Sequence, residues 1–191
     1  MNSDILLLTE PYYQGKVLRL YAPGWDSICK LRCAILVRRD IVHASQTLQH
    51  PDVVSTRIGN TDVVCAYSSP NEDNTGILLF LHQLVSGNSR KVIIGGDFNC
   101  STSLIPSYHT HDQGIEFEML ILQTELEILN NSQSTWHRGN KRSIIDYILT
   151  REVSAHSYSI LHDDSHSDHF FLSFQVEHED PSVHPYSTLT Q

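Results

Sequence analysis

Short runs of apolar residues, separated by turn-forming residues, dominate the first third of the chain. Runs rich in Val, Ile and Leu occupy Asp4–Leu8, Val17–Tyr21, Cys33–Val37, Val53–Ile58 and Asp62–Tyr67. Gly, Asn, Asp or Pro lie between them, so the pattern predicts successive strands of a largely antiparallel sheet. The first run stops at Thr9-Glu10-Pro11, where the proline disfavours helix at the preceding residue. We therefore expect Glu10 at a strand end.

Two later segments have helical spacing instead. From Asp73 to Val85 the apolar residues recur at intervals of three and four positions, and Ser86-Gly87-Asn88 supplies a stop. Ile115–Leu126 is the second helix candidate, and its apolar residues are Met119, Leu120, Leu122 and Leu126. Each helix follows a strand, so helices and strands alternate in the middle of the chain.

The remaining apolar runs complete the predicted sheets. Further strands are expected at Val92–Ile94, Thr135–Trp136, Ile144–Leu149, Ser157–Leu161 and Phe170–Val176. Roughly ten strands and two helices predict an α+β fold, in which two mainly antiparallel sheets pack face to face and helices cover them as an α/β/β/α sandwich. We expect residues 1–177 to form one domain and residues 178–191 to be a polar, disordered tail.

Composition narrows the class of protein. A chain of 191 residues, 40% of them hydrophobic, has the size of one domain. The formal net charge of -9 argues against a general electrostatic grip on nucleic acid and suits a carboxylate-rich cation site. The sequence shows no signal-like start, no membrane-spanning run and no Cys-x-x-Cys pair. We therefore expect an intracellular protein, nuclear or cytoplasmic, that is not secreted.

The first candidate for chemistry is Gly95-Gly96-Asp97-Phe98-Asn99, which follows a buried strand. The glycines allow close backbone approach, and Asp97 and Asn99 project from the strand end into the same region. A carboxylate and an amide are thereby aimed together. The alternative is a glycine-rich turn in which Asp97 and Asn99 only bond their own backbone.

Two more motifs lie in the last third. Ser167-Asp168-His169 places a hydroxyl, an acid and an imidazole before an apolar strand, and histidine can act as an acid or a base near neutral pH. A solvated polar loop is the alternative. Asp146 lies inside the apolar run Ile144–Leu149, and a buried carboxylate needs a partner. A histidine would satisfy it.

In this order, Thr9-Glu10-Pro11-Tyr12, Tyr67-Ser68-Ser69-Pro70, Gly96-Asp97-Phe98-Asn99, Ser143-Ile144-Ile145-Asp146 and Ser167-Asp168-His169 resemble the endonuclease/exonuclease/phosphatase superfamily. Details such as Asp112-Gln113-Gly114 and Thr135-Trp136 are similar to the apurinic-type endonuclease domain of LINE-like non-LTR retrotransposons. The resemblance covers the chain from Asp4 to about Val176.

This resemblance implies a metal-dependent hydrolase that acts on DNA. It implies that Glu10 binds the divalent metal, Mg²⁺ or alternatively Mn²⁺, and that Asp168 lies near it. Asp97 would orient or deprotonate the attacking water, and Asn99 would position that water and the phosphate. No further small-molecule cofactor and no membrane partner are expected.

The resemblance also implies how the phosphate is held. His169 would stabilise the charge that builds on the phosphate, Asp146 would hold the imidazole, and Tyr67 would contact the phosphate or the leaving oxygen. Weaker candidates for phosphate contact are Thr135 and Ser167. The candidates for binding the nucleic-acid backbone are Arg138, Lys141 and Arg142.

Two departures from the superfamily pattern bear on these expectations. The family's opening strand, with an asparagine at the site, and the helix after it have no counterpart before Glu10 here. Thr9 stands where the family commonly has glutamine, and that amide could have supported the metal ligand. We expect a sheet that lacks its first strand and a site of reduced activity. A reverse-transcriptase module is an expected partner in a full-length element.

Three functions remain open from the sequence. The first is a Mg²⁺-dependent DNA endonuclease that nicks one strand and leaves a 3′-hydroxyl. The second is a catalytically inactive, retrotransposon-derived remnant that persists as a binding module. The third is a phosphatase or phosphodiesterase of the same superfamily that acts on a substrate other than DNA.

Overall fold

The computed structural model describes residues 3–11, 13–14, 17–18, 22–46, 48, 50–87, 90–105, 112–161, 167–177 and 189–190. The elements of the first half are β1 (Ile5–Thr9), β2 (Tyr13–Gln14), β3 (Val17–Leu18), β4 (Trp25–Lys30), β5 (Cys33–Arg38), β6 (Ala44–Gln46), β7 (Val53–Ile58), β8 (Thr61–Tyr67), α1 (Thr75–Ser86) and β9 (Lys91–Asp97). The second half contains α2 (Asp112–Gln123), β10 (Glu127–Ile128), β11 (Trp136–Arg138), β12 (Lys141–Ser143), β13 (Asp146–Arg151), β14 (Ala155–Leu161), β15 (Phe171–Val176) and β16 (Leu189–Thr190).

The first sheet has the strand order β14-β15-β16-β1-β5-β4. All its neighbours are antiparallel except β1 and β16, which run parallel. The two residues of β16 therefore lie inside the sheet, beside Ile5 and Leu6 of β1. The rest of the tail that we expected to be disordered, residues 178–188 and 191, lies outside the described residues.

The second sheet has the order β10-β13-β9-β8-β7-β6 and carries the functional strands. Strands β8 and β9 are parallel, and α1 forms the crossover between them, as parallel pairing requires. Strand β13 pairs antiparallel with β9. These pairings consequently place three strand termini next to one another at one end of the sheet: the end of β8, the end of β9 and the start of β13.

Two apolar layers hold these parts together. One lies between the sheets and includes Ile35, Cys65, Ile93, Ile148 and Leu172. The other packs α1 and α2 on the outer face of the second sheet. Its centre is a ring cluster, in which Phe98 lies 4.7 Å from Phe117 and Phe117 lies 4.8 Å from Tyr147. Phe98 therefore anchors the turn after β9 to the core.

The α+β architecture of two sheets with flanking helices is confirmed, but several local predictions were wrong. Strand β4 was not predicted, because Trp25–Lys30 is an edge strand without a continuous apolar run. Asp146 is the first residue of β13 rather than a mid-strand residue. In α2, Met119 and Leu122 are exposed, while Phe117, Leu120 and Ile121 are buried. Within the described residues no helix is long and apolar enough to cross a membrane.

Candidate active site

Three candidate residues stand side by side where the strands of the second sheet meet. In the strand register, Asp97 at the end of β9 is opposite Tyr67 of β8 on one side and Asp146 of β13 on the other. Neighbouring strands lie about 4.8 Å apart. The fold alone therefore brings together three side chains that are far apart in the sequence.

Asp146 and His169 form a hydrogen-bonded pair. Nδ1 of His169 lies 2.9 and 3.0 Å from the two carboxylate oxygens of Asp146. Asp146 is buried and His169 is partly buried. The expectation that a histidine satisfies this buried carboxylate matches the geometry, and the pair fixes the imidazole through Nδ1.

Thr135 supports this pair from behind. Its side chain is fully buried, and its hydroxyl accepts hydrogen bonds from the backbone N–H groups of Ile145 and Asp146, both at 3.1 Å. Its carbonyl accepts the N–H of Phe170 at 2.8 Å, which ties the His169 segment to the same point. Thr135 thus positions both Asp146 and His169, and its hydroxyl is occupied by backbone.

Asp97 and Asn99 are locked to each other. Asp97 accepts the backbone N–H of Asn99 through Oδ1 and the Asn99 side-chain amide through Oδ2, both at 2.9 Å. The same amide donates to the carbonyl of Ser68 at 2.9 Å. Asn99 has a φ of 48°, a left-handed conformation that asparagine tolerates better than most residues. The glycine-rich turn considered as the alternative is therefore present, and the same turn also brings the Asp97 carboxylate and the Asn99 amide together.

The pKa values of Asp97 and His169 are both raised above their ordinary values. Burial, and then the neighbouring charge of Asp146, raise the pKa of Asp97 to about 7. Burial by itself would lower the pKa of His169, but the hydrogen bond and charge of Asp146 outweigh it and raise that pKa to about 9. At neutral pH the imidazole is therefore cationic, and Asp97 can exchange a proton.

Glu10 lies directly after β1, as expected. It is exposed, has a φ of 47°, and its N–H donates to the carbonyl of Arg32 at 2.7 Å. Burial raises the pKa of Tyr67, and the Glu10 carboxylate raises it further. Glu10 also makes a minor contribution to the raised pKa of Asp97, after burial and the charge of Asp146.

Asp168 and Ser167 border the site on its exposed side. The indole N–H of Trp136 donates to Oδ2 of Asp168 at 3.1 Å, and Nε of Arg138 lies 3.7 Å from the same oxygen. The hydroxyl of Ser167 accepts the backbone N–H of His169 at 3.1 Å. Asp168 is therefore held by the β11–β12 hairpin, and Ser167 braces the turn that carries His169.

The hairpin formed by β11 and β12 projects beside this segment. His137 donates its N–H to the Asp168 carbonyl at 2.8 Å, and its ring stacks on Phe170 with centroids 4.9 Å apart. The three basic candidates of the hairpin, Arg138, Lys141 and Arg142, are all exposed. A cationic strip therefore adjoins the site on a chain that is otherwise acidic.

The residues present fit a hard divalent cation. Among the described residues, Asp97, Asp146 and His169 are the one group of three possible ligands whose atoms all lie within 4.8 Å. Asp146 is already engaged with His169, so Asp97 and the exposed Glu10 are the better oxygen donors. Burial and then the charge of Asp146, with a smaller contribution from Glu10, raise the pKa of Asp97, and a bound cation would offset this cost of ionising it. A Mg²⁺ ion needs only one or two carboxylates and keeps its waters.

The sequence did not single out Arg32 or Trp136 as part of this site. Arg32 lies at the start of β5 with its guanidinium 4.9 Å from the centre of the Tyr67 ring. Trp136 was noted only for its resemblance to a family detail. The pattern gives no signal for Arg32, because its partners Asp52, Tyr67 and Glu72 are distant in sequence.

The comparisons with known proteins identify the family and the fold. A family model described as endonuclease-reverse transcriptase matches residues 61–173, which is more than half of the 191-residue chain. The endonuclease domain of TRAS1, a telomere-specific non-LTR retrotransposon, superimposes with a TM-score of 0.79 at 20% identity. The match covers 91% of this chain and 85% of that chain.

Two structures from Neisseria share the fold more distantly. The 3′-5′ exonuclease NExo from Neisseria meningitidis matches with a TM-score of 0.65 at 15% identity, covering 91% of this chain and 89% of that one. The 3′ phosphatase NExo bound to a product DNA hairpin matches with a TM-score of 0.62 at 17% identity, covering 92% and 89%. No curated protein matches in sequence. The likenesses show the fold.

Proposed function

Because the chain belongs to the endonuclease-reverse transcriptase family, within the endonuclease/exonuclease/phosphatase superfamily, we propose that it is a divalent-cation-dependent DNA endonuclease of retrotransposon type. It hydrolyses one phosphodiester of a duplex and leaves a 3′-hydroxyl. The observation that carries the proposal is the Asp146–His169 pair, which lies beside Asp97 where β9 ends and β13 begins.

The residues divide the reaction between them. Asp97, with its pKa near 7, takes a proton from the attacking water. Asn99 holds that water and the phosphate in line once its amide N–H groups, which now bond Asp97 and Ser68, release one of these partners. The water oxygen bonds to phosphorus as the bond to the 3′ oxygen breaks. The cationic imidazole of His169 neutralises the charge that develops on the phosphate, and Asp146 keeps the imidazole in place. Tyr67 contacts the phosphate or the leaving oxygen.

Glu10 is the proposed principal ligand of Mg²⁺ or Mn²⁺, with Asp168 near it. When bound, the cation would act as a Lewis acid that stabilises charge on the phosphate and the leaving oxygen. Asp168 is now bonded to Trp136 and close to Arg138, so its approach to a cation requires Arg138 to turn away. The Tyr67 phenol, whose pKa is raised in part by Glu10, would help to orient the Glu10 carboxylate for this task.

DNA is the proposed substrate, and the β11–β12 hairpin is the proposed grip on its backbone. Arg138, Lys141 and Arg142 project into solvent beside His169, where phosphates flanking the cut would pass. Ser167 is a proposed minor phosphate contact, whereas the buried Thr135 acts through Asp146. Such an enzyme works on chromosomal DNA in the nucleus, beside a reverse-transcriptase module in a full-length element.

Supercoiled plasmid tests the proposal. The purified chain with Mg²⁺ is expected to convert it to relaxed circles that DNA polymerase can extend without 3′ repair, and Asp97→Ala and His169→Ala should abolish the conversion. A matched control is Asp26→Ala, because Asp26 is an exposed aspartate on the edge strand β4, far from the site along the sheet order. Equal nicking by wild type and both site variants would sink the proposal.

The same assay separates the alternatives. A linear duplex ending in a 3′-phosphate reports phosphatase activity without nicking. A chain that nicks nothing and releases no phosphate, yet still binds DNA, would instead be an inactive binding module.

A further inference from the structure

We infer that Arg32 is a positioning residue of this site, which acts by holding Tyr67 against Glu10. The inference rests on the proposed function for its meaning, because Tyr67 and Glu10 are the proposed phosphate and metal contacts. Its physical basis is a set of contacts that converge on one arginine at the start of β5.

The guanidinium of Arg32 is fixed from two sides. Its Nε and Nη2 donate to the two oxygens of the buried Asp52 at 2.8 and 2.6 Å. Nη1 and Nη2 also bond the exposed Glu72, at 3.3 and 3.1 Å. The planar fork of arginine makes such paired bonds directional, so the guanidinium cannot rotate freely.

This fixed plane lies over the ring of Tyr67. The guanidinium carbon is 4.9 Å from the ring centroid, within the range of a cation–π contact. The backbone of Tyr67 is tied to the same partner, because its N–H donates to the Asp52 carbonyl at 3.1 Å. Arg32 and Asp52 therefore hold Tyr67 at both its ring and its main chain.

Arg32 also contacts Glu10. Its carbonyl accepts the Glu10 N–H at 2.7 Å, while its guanidinium lies over the Tyr67 ring. One residue thus contacts both Glu10, which follows β1 of the first sheet, and Tyr67 of β8 in the second sheet. Asp52 with Arg32 forms a rigid bracket behind the pair.

The charge of Arg32 and its geometry predict opposite effects on cation binding. If Arg32 acted only as a nearby positive charge, removing it would tighten binding of a divalent cation at Glu10. If it positions the Tyr67–Glu10 pair, removing it weakens binding, by about tenfold for a residue that orients a ligand from outside. The sign of the change separates the two.

The test uses the full chain and four variants. Arg32→Gln removes both fork and charge, and Arg32→Lys keeps the charge but loses the fork. Arg57→Gln is the control, because Arg57 is a similarly exposed arginine that pairs with the buried Asp62 at the opposite end of β8. Tyr67→Phe assigns the Tyr67 ring resonances in protein carrying ¹³C-labelled tyrosine. Calorimetry with Mn²⁺ measures cation affinity.

We expect Arg32→Gln and Arg32→Lys both to move the Tyr67 ring resonances, and Arg57→Gln to leave them in place. We also expect Mn²⁺ affinity to fall about tenfold in Arg32→Gln. Unmoved Tyr67 resonances, full rescue by Arg32→Lys, or tighter Mn²⁺ binding would each overturn the inference. If wild type neither binds Mn²⁺ nor nicks DNA, the proposed function fails, and the Tyr67 resonances still decide the role of Arg32.

Discussion

The two halves of the site are built in opposite ways. Asp97 and Asp146 lie on the second sheet, Asn99 follows β9, and Thr135 precedes β11. All four are buried or partly buried, and short hydrogen bonds join Asp97 to Asn99 and, separately, Thr135 to Asp146 and His169. The β11–β12 hairpin is exposed, and Arg138 makes one long ion pair, at 3.7 Å with its side chain 80% exposed. The fold fixes the first half before any substrate arrives and leaves the second half free to adapt.

This difference separates chemistry from recognition. Groups that handle charge and protons gain from preorganisation, since reorganising them during the reaction would raise the barrier. Side chains that grip a backbone of repeating phosphates need only charge and reach. Changes in the buried half should therefore be cooperative and large, and changes in the hairpin additive and small.

The largest expected effect is on turnover in the buried half. Asp146→Asn and His169→Ala should each lower the rate of plasmid nicking about thousandfold, and the double variant should be no slower than either alone. The reason is that the two side chains act as one hydrogen-bonded unit. Single-turnover nicking rates measure the effect; a double variant whose losses multiply would show that the pair is not coupled.

The next effect is a pH dependence of stability in the buried half. The pKa of Asp97 is raised from 3.8 to about 7, so its stabilising contribution is complete below pH 3.8 and is lost as pH rises through 7. The loss is about 4 kcal/mol between these limits. Asp97→Asn should therefore flatten the fall in unfolding free energy between pH 5 and 8.

Urea unfolding in the presence of a chelator measures this slope. The raised pKa of His169, about 9, leaves a second loss of stability at higher pH, which Asp97→Asn should retain. A matched exposed variant, Asp26→Asn, should keep the wild-type profile. If Asp97→Asn shows the full wild-type slope between pH 5 and 8, then Asp97 is not the buried group that titrates there.

A smaller effect is expected in the hairpin. Replacing Arg138, Lys141 and Arg142 singly with Gln should weaken DNA binding by about three- to tenfold each and lower the slope of log affinity against log salt by about one. The changes in salt slope should add, because each basic side chain displaces its own counterions from the backbone. Fluorescence anisotropy at several salt concentrations measures both quantities, and an unchanged slope would remove that residue from the proposed interface.

The smallest effect is expected where the hairpin contacts the His169 segment, at the hydrogen bond from Trp136 to Asp168. Trp136→Phe removes the indole N–H that binds Asp168 and keeps most of the ring, so it should cost about 1 kcal/mol of unfolding free energy. Nicking should fall only a few-fold, since His169 retains its bond to Asp146. A loss as large as that of His169→Ala would mean that the hairpin and the buried half are one unit.

The sequence predicted the parts of this site that depend on strand ends. Glu10 and Asp97 were expected at the ends of apolar runs, and the strand register places them there. The cost of burying an unpaired charge predicted a partner for Asp146, and the family resemblance named His169 as that partner. The hydrogen-bond geometry itself was not predictable, because it depends on how β13 and the segment before β15 are brought together.

Other features escaped the sequence for physical reasons. The apolar Met119 and Leu122 fit a helical stripe, yet α2 buries Phe117, Leu120 and Ile121 instead, because the ring of Phe117 packs between Phe98 and Tyr147. Arg32 stood outside every motif. Its function arises from contacts between residues that are 20 to 40 positions apart, which periodicity does not register.

The left-handed backbone at Glu10 and Asn99 sets stability against function. A non-glycine residue at such a φ costs about 1–2 kcal/mol, and glutamate pays more of this cost than asparagine. In a library of variants selected only for folding, position 10 should drift to glycine, while selection for turnover should restore glutamate. A position where selection for folding and selection for turnover enrich different residues would therefore be one at which the protein keeps a residue for catalysis although its backbone conformation is strained.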